Sequence, residues 1–390
     1  MITLALAGKP NCGKSTFFKA ATMAHAEIAN YPFTTINPNF GVGYVRTRCA
    51  CTDLGLKCGK CVDGIRFVPV NLIDVAGLVP DAHKGRGLGN QFLDHLRQAD
   101  AILHIVDASG GTDAEGNPVG VGTHDPSGDI TFLEFEMTMW VYGILDKHWA
   151  KLNRQAQVKG FSIYQAIADV FTGLKITPDD IRDAELSLKI DLTHAKMEDL
   201  VPFCAGMVRL SKPMLIVGNK ADEAPEALIT NLTEKNVSLA SAASELALRN
   251  AAAANLVKYL PGDAKFEVVN AMKFTTPQKA GIAKIAEYMI KYKGTGVQQA
   301  INRAVFELLD RIVVYPVEDE NRFCNKQGEV LPDAFLMKKG STPHDLAFQV
   351  HTDIGKGFLY AIDARTKMRI KENHVLKDGD IIKIVSAAKE

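Results

Sequence analysis

The chain has 390 residues, 47% of them hydrophobic, and 45 Lys and Arg balance 45 Asp and Glu for a formal net charge of +0. That length predicts a large core divided among two or three domains, and the neutral balance excludes bulk attraction to nucleic acid or membrane, so any such partner must meet a local patch. The apolar run Ile2 to Ala7 has no basic segment before it and is too short for a signal-peptide core. No later run approaches membrane-spanning length, so the expectation is a cytoplasmic protein without a membrane partner, whose 7 cysteines serve as thiols or metal ligands rather than disulfides.

Residues Met1 to Phe18 (MITLALAGKPNCGKSTFF) read as a strand, a glycine-rich loop and a helix start. Gly8, Lys9, Pro10, Asn11, Cys12, Gly13, Lys14 and Ser15 match G-x-x-x-x-G-K-[ST]. Glycines at both ends let the backbone curl around an anion. The amides of Asn11, Cys12, Gly13, Lys14, Ser15 and Thr16 then face a polyphosphate at the positive end of a helix, Lys14 reaches the β- and γ-phosphates, and Ser15 ligates Mg²⁺. Next, NYPFTTINP predicts a loop with a strand behind it, and Thr35 is the candidate to close over the nucleotide and Mg²⁺, with Thr34 an ordinary loop residue or the alternative.

Cys49, Cys51, Cys58 and Cys61 follow at C-x-C-x6-C-x2-C spacing on an expected short hairpin. Four thiols so placed suit tetrahedral Zn²⁺, the alternative being unligated surface thiols. An apolar strand, Phe67 to Ile73, runs into Asp74-Val75-Ala76-Gly77. One strand after a phosphate loop, that pattern assigns Asp74 to Mg²⁺ and the Gly77 amide to the terminal phosphate. The loop Leu78 to Phe92 carries Gly85, Gly87 and Gly89 and reads as a switch. His83 within it is a candidate for a water-orienting or proton-transfer role, or an exposed loop histidine.

A third strand, Ala101 to Val106, ends at Asp107. From about Ile130 to Met207 the strand–helix alternation stops, and the spacing of Phe132, Phe135, Met139, Tyr142, Leu145, Trp149 and Leu152 predicts an amphipathic helix over 131–152 whose stripe is mostly core. Thr177 with Pro178 predicts another helix start. Strand Pro213 to Val217 leads into Asn219-Lys220-Ala221-Asp222, where the Asp222 carboxylate accepts from guanine N1–H and N2 amino groups that adenine lacks, Lys220 packs along the base and Asn219 ties this loop to the phosphate loop. Ser241 and Ala242 supply a loop amide for guanine O6. Helices are expected to about Tyr259, over 277–292, and over 296–311 with Thr295 as cap. After Val313 short strands surround a helix opened by Ser341-Thr342-Pro343, the pattern of a small β-grasp domain.

The ordered set GKPNCGKST, YPFTT, DVAGL, NKAD and ASA resembles a Ras-like GTP-binding domain. The wording of the first three, with DAHKGRGLGNQFL, resembles the Obg family, and the insertion plus MKKGSTPHDLAFQVHTDIGKGFLYA, similar to a TGS domain, points to the archaeal-type YchF-related branch. The resemblance implies an α/β fold: a P-loop Ras-like GTPase domain over 1–129 and 208–312, a helical insertion over 130–207 and a β-grasp TGS domain over 313–390. It implies slow GTP hydrolysis, because Leu78 stands where Ras-like relatives place a water-orienting glutamine, and it makes Asn11 a candidate K⁺ ligand. Some relatives prefer ATP, but Asp222 favours GTP. The family is linked to ribosomes, which makes ribosome or ribosomal RNA, met through the insertion and the TGS domain, the expected partner, with no DNA; Lys338, Lys339, Lys356, Arg365, Lys367, Arg369 and Lys371 are the candidate contacts or simply a solvated face. An RNA-binding adaptor with a mainly structural nucleotide site is the alternative reading.

Overall fold

The computed structural model describes residues 1–23, 39–75, 77–78, 80–84 and 96–387. Thr34 and Thr35, Ala76, and the loop glycines Gly85, Gly87 and Gly89 lie outside these described residues. Six strands form the central sheet: β1 (Thr3–Ala7), β2 (Phe40–Arg48), β3 (Ile65–Asp74), β4 (Ala101–Asp107), β5 (Met214–Asn219) and β6 (Ser238–Leu239), in the order β2-β3-β1-β4-β5-β6. All neighbours are parallel except the edge strand β2, which runs antiparallel to β3. The apolar runs expected of strands buried on both faces are here: every residue of β4 is buried. With β1, β3, β4 and β5 parallel, their carboxyl ends open on one edge, where the polar motifs lie.

The insertion is a set of helices, Ser127–Ala156, Ile163–Val170, Pro178–Leu188 and Met197–Ser211. They share one core with Ala5, Ala7, Ile73 and Ile102 of the sheet. Thr177 caps its helix as expected, its hydroxyl accepting from the Asp180 amide while Asp180 returns to the Thr177 amide. The first insertion helix corrects the sequence reading in two respects. It starts at Ser127, and its buried line is Leu133, Met137, Val141, Leu145, Trp149 and Leu152, whereas Phe135 is 56% exposed and Phe132, Met139 and Tyr142 are half-buried. Leu145, Trp149 and Leu152 of the expected stripe belong to that buried line, while the polar Asp129 and Glu136 are buried beside it against Lys9 and against Asp81 and His83.

Helices Glu226–Glu234, Ala242–Ala253 and Thr276–Tyr292 follow, with a small ribbon of β7 (Val257–Lys258) and β8 (Glu267–Val268). The expected helix over 296–311 is a helix Val297–Asn302 that widens into a π-helical stretch, Arg303–Leu308. Thr295 does not cap it. Its hydroxyl bonds the buried Glu245, and Gly296 occupies the cap position at φ 87°, where a Cβ would fall 2.0 Å from the Leu239 carbonyl.

The C-terminal sheet contains β9 (Arg311–Val317), β10 (Phe335–Lys338), β11 (Phe358–Asp363), β12 (Met368–Ile370) and β13 (Ile381–Ser386), ordered β10-β9-β13-β11-β12. β9 and β13 are parallel and the other pairs antiparallel, around the helix Pro343–Val350 capped by Thr342 and Asp345. This is the β-grasp arrangement. Its Tyr315, Val317, Leu331, Ala364 and Ile381 belong to the same core as Leu4, Leu6 and Phe17 of the first domain.

Candidate nucleotide site

The phosphate loop leaves β1 and enters the helix Lys14–Thr22 through Gly13. Gly8 (φ 151°) and Gly13 (φ 90°) are required: a Cβ on the first would fall 2.2 Å from the Ile105 carbonyl and on the second 2.3 Å from Asn219 Nδ2. Asn11 also takes φ 59°, and its side-chain amide nitrogen donates to the Gly116 carbonyl at 3.0 Å, so this bond uses the nitrogen and not the oxygen a cation needs. Lys14 is buried, its ammonium 3.2 Å from the Lys9 carbonyl. Cys12 is buried, and burial pushes its thiol up.

Ser15 Oγ donates to Asp74 Oδ2 at 2.8 Å, closing 59 residues of chain between the phosphate loop and the end of β3. Both groups are oxygen ligands of the kind a hard divalent cation takes, so the pair fits Mg²⁺ by chemistry and position. Gly77 lies against the loop, a Cβ there falling 3.0 Å from Pro10, and the Leu78 amide donates to the Gly8 carbonyl at 3.2 Å while its side chain is 3% exposed.

On the other side, Asn219 Nδ2 donates to the carbonyls of Cys12 (3.1 Å) and Gly13 (3.4 Å), and its Oδ1 accepts from the Ala242 amide at 3.0 Å. The tie between the two loops expected of Asn219 is therefore present in the geometry. The Ser241 amide donates to Thr295 O at 2.8 Å, so both amides of the pair expected at guanine O6 have protein acceptors, and the Ser241 hydroxyl caps the helix Ala242–Ala253. Asp222 is exposed. The Lys220 ammonium pairs with Asp107 at 2.8 Å. Burial pushes the Asp107 carboxyl up, but Lys220 and the hydroxyls of Ser109 and Thr112 outweigh it and hold the group below the usual range. In β4, burial, reinforced by the charge of Lys14, lowers His104 to about 3 and keeps it neutral.

Two contacts between the nucleotide end and the insertion have no signal in the sequence. Lys9, 3% exposed, gives its ammonium to Asp129 (2.6 Å) and to the Thr112 carbonyl (2.9 Å), and His124 approaches the same carboxylate at 3.1 Å. Seven residues along the same helix, Glu136 accepts the amides of Asp81 (2.9 Å) and His83 (3.0 Å) and the His83 ring nitrogen (2.7 Å). His83 thus faces the insertion, with Phe135 edge-on at 5.9 Å. Apart from His124, these partners lie 53 to 120 residues apart in the chain, beyond any local pattern.

The four cysteines stand at the opposite edge of the sheet. Cys49 precedes the one-turn helix Ala50–Asp53, Cys51 lies in it, and Cys58 and Cys61 sit in the loop before β3, a helix-and-loop knuckle instead of the expected hairpin. All four sulfurs lie within 4.8 Å of one another. Among the described residues no helix is long and apolar enough to cross a membrane.

Three family models match. "50S ribosome-binding GTPase" covers residues 3–124, "Obg-like GTPase YGR210-like, G4 motif-containing domain" covers 217–319, and "TGS domain" covers 323–386. A GTP-binding protein of Methanocaldococcus jannaschii is 50% identical over 100% of both chains. The crystal structure of a GTP-binding protein from Pyrococcus horikoshii is 40% identical, covers 99% of this chain and 100% of that one, and superposes with a TM-score of 0.79. A more distant relative, the ribosome-binding ATPase YchF of Bacillus subtilis, is 28% identical over 98% of both chains. With its phosphate loop, its helical insertion and its C-terminal TGS domain all accounted for, the chain belongs to the Obg-like, YchF-related family of P-loop GTPases.

Proposed function

We propose that the chain is a slow, Mg²⁺-dependent GTPase that acts as a nucleotide switch, its helical insertion and TGS domain reporting the bound nucleotide to a ribosome or ribosomal RNA. The observation that carries this reading is the Ser15–Asp74 hydrogen bond beside a glycine-framed loop that Asn219 holds from the other side.

In this reading Lys14 and the loop amides from Asn11 to Thr16 bind and orient the polyphosphate. Thr35 and the Gly77 amide engage the γ-phosphate, and Asp222 accepts from guanine, with Lys220 along the base and the Ser241–Ala242 loop at its O6 edge. Ser15, Asp74 and Thr35 hold Mg²⁺, which when bound neutralises the phosphate charge. Water attacks the γ-phosphorus in line. Leu78 points into the core and has no polar atom with which to orient that water, which accounts for slow turnover. Asn11 would offer its side-chain oxygen to K⁺, which when bound would supply positive charge beside the phosphates. The four cysteines hold Zn²⁺.

The two latches on the insertion support a switch. The phosphate loop through Lys9, and Asp81 and His83 beyond Leu78, both anchor on the helix Ser127–Ala156, so a shift of either transmits to it. In the TGS domain, Arg369 stacks on Tyr360 at 3.9 Å in a cleft that Lys371 also lines, a surface suited to a nucleic-acid backbone and bases. Co-sedimentation with ribosomes in GDP and in a non-hydrolysable GTP analogue tests the reading. A change of several-fold between the two is expected; identical binding in both would instead favour an adaptor whose nucleotide is structural.

A further inference from the structure

The knuckle from Cys49 to Gly64 joins β2 to β3 at the amino end of β3, and Asp74 of the nucleotide site lies at the other end. Nine residues of strand separate Ile65 from Asp74, roughly 30 Å at about 3.3 Å per residue. An ion here is therefore remote from the phosphates.

The sulfurs are arranged for one. Cys49 and Cys58 are 3.7 Å apart, Cys51 and Cys61 3.6 Å, and Cys58 and Cys61 3.5 Å. A tetrahedron with bonds of about 2.3 Å has edges of about 3.8 Å, close to these three separations, and no pair of the four sulfurs is more than 4.8 Å apart, so the cluster has the size of a Zn²⁺ site. The separations are far from the ~2.05 Å of a disulfide. The Lys60 amide points at the Cys58 sulfur at 3.4 Å, the kind of outer hydrogen bond that fixes a metal-bound thiolate. Gly55 and Gly59, at φ 63° and 65°, make the turns that return the chain to the cluster.

The knuckle is also where the C-terminal domain attaches. Cys49, Cys51 and Cys58 share a core with Tyr315, Val317 and Leu331. Arg66, 5% exposed, donates to the carbonyls of Leu331 (3.1 Å) and Pro332 (2.9 Å), and Lys60 meets Glu329 at 3.2 Å.

We propose that Cys49, Cys51, Cys58 and Cys61 bind one Zn²⁺ as a tetrathiolate and that the loaded knuckle is a clamp seating the TGS domain on the GTPase domain. The clamp rests on the zinc reading above. Without the ion, a loop of sixteen residues with three buried thiols and a half-buried fourth has little besides the one-turn helix to hold its shape, and the Arg66-to-carbonyl and Lys60-to-Glu329 contacts lose their platform.

The test uses the full chain purified without chelators. Elemental analysis should find one zinc per chain, and stripping it with a mercurial and chelator should speed amide exchange in Arg311–Val317 and in residues 323–338 by about tenfold or more. Protection in β1 and β4 should persist, and added Zn²⁺ should restore the C-terminal protection. The variant Cys58→Ser/Cys61→Ser should behave as the stripped chain. Absence of zinc, or iron in its place, overturns the metal assignment itself. One zinc per chain with exchange in the C-terminal segments unchanged on stripping, or raised equally throughout the central sheet, leaves the metal and overturns the clamp.

Discussion

At the carboxyl edge of the central sheet, loops that lie 59 to 207 residues apart meet through a few hydrogen bonds, Ser15 to Asp74 and Asn219 to Cys12 and Gly13, and Asn11, Ser15 and Gly77 are exposed. At the amino edge of β3 the whole knuckle comes from one stretch of sixteen residues, and Cys49, Cys51 and Cys58 are buried against the second domain. The first construction suits a site that must open to a ligand and register its loss. The second suits a joint. Between them the insertion helix Ser127–Ala156 takes hold of the nucleotide edge at two points, Asp129 and Glu136, so one domain contact is placed to follow the nucleotide and the other to stay fixed.

Changes at the two edges should therefore separate cleanly. Asp129→Ala leaves the Lys9 ammonium buried without its carboxylate, and we expect a loss of about 3–5 kcal/mol in urea unfolding, far more than a surface substitution gives. A loss under 1 kcal/mol would show that Lys9 finds another partner and that the insertion is not latched to the phosphate loop. Lys14→Ala should weaken GTP binding by roughly 100-fold, about 2.7 kcal/mol, in calorimetry while leaving zinc content unchanged. If zinc falls with it, the edges are not independent.

The acid limb gives a graded effect, spread over several pH units. His104 is held neutral down to about pH 3 in the fold and takes its proton near 6.5 when unfolded. The unfolded chain then binds more protons between those values, so stability falls as pH drops below about 6.5, by up to about 1.4 kcal/mol per unit from this one group. His104→Gln, compared by thermal unfolding from pH 7 to 4, should flatten that slope; an unchanged slope assigns it elsewhere. Lys60→Ala is the mildest. Its pair with Glu329 is exposed, and removal should cost less than about 1 kcal/mol, with the zinc retained.

What could be read from the chain divides along the same lines. The phosphate loop, the Asp74 strand end, Asn219 and the four cysteines are each continuous in sequence, and their chemistry is local, so the residues that the fold brings to each edge were legible before it. The TGS helix cap at Thr342 and the insertion cap at Thr177 were legible for the same reason. Thr295 was misassigned because a buried carboxylate fifty residues away, Glu245, takes its hydroxyl. The insertion helix was legible as a helix, though it begins four residues earlier than expected, and its buried face was legible only in part: Leu145, Trp149 and Leu152 are buried, but Phe135 is exposed, while Asp129 and Glu136 are carried inward to serve other segments. Those two acids, and the His83 orientation they impose, depend on contacts across the fold that no window of sequence contains.

In the proposed site the exposed Asp222 selects guanine, in a family that includes a relative named as an ATPase. Competition of Mg²⁺-ATP against Mg²⁺-GTP for the nucleotide-free chain, followed by calorimetry, measures that selection. GTP should bind tighter by about tenfold or more, with the preference lost in Asp222→Asn. ATP binding as tightly as GTP, or a preference that survives Asp222→Asn, would contradict it.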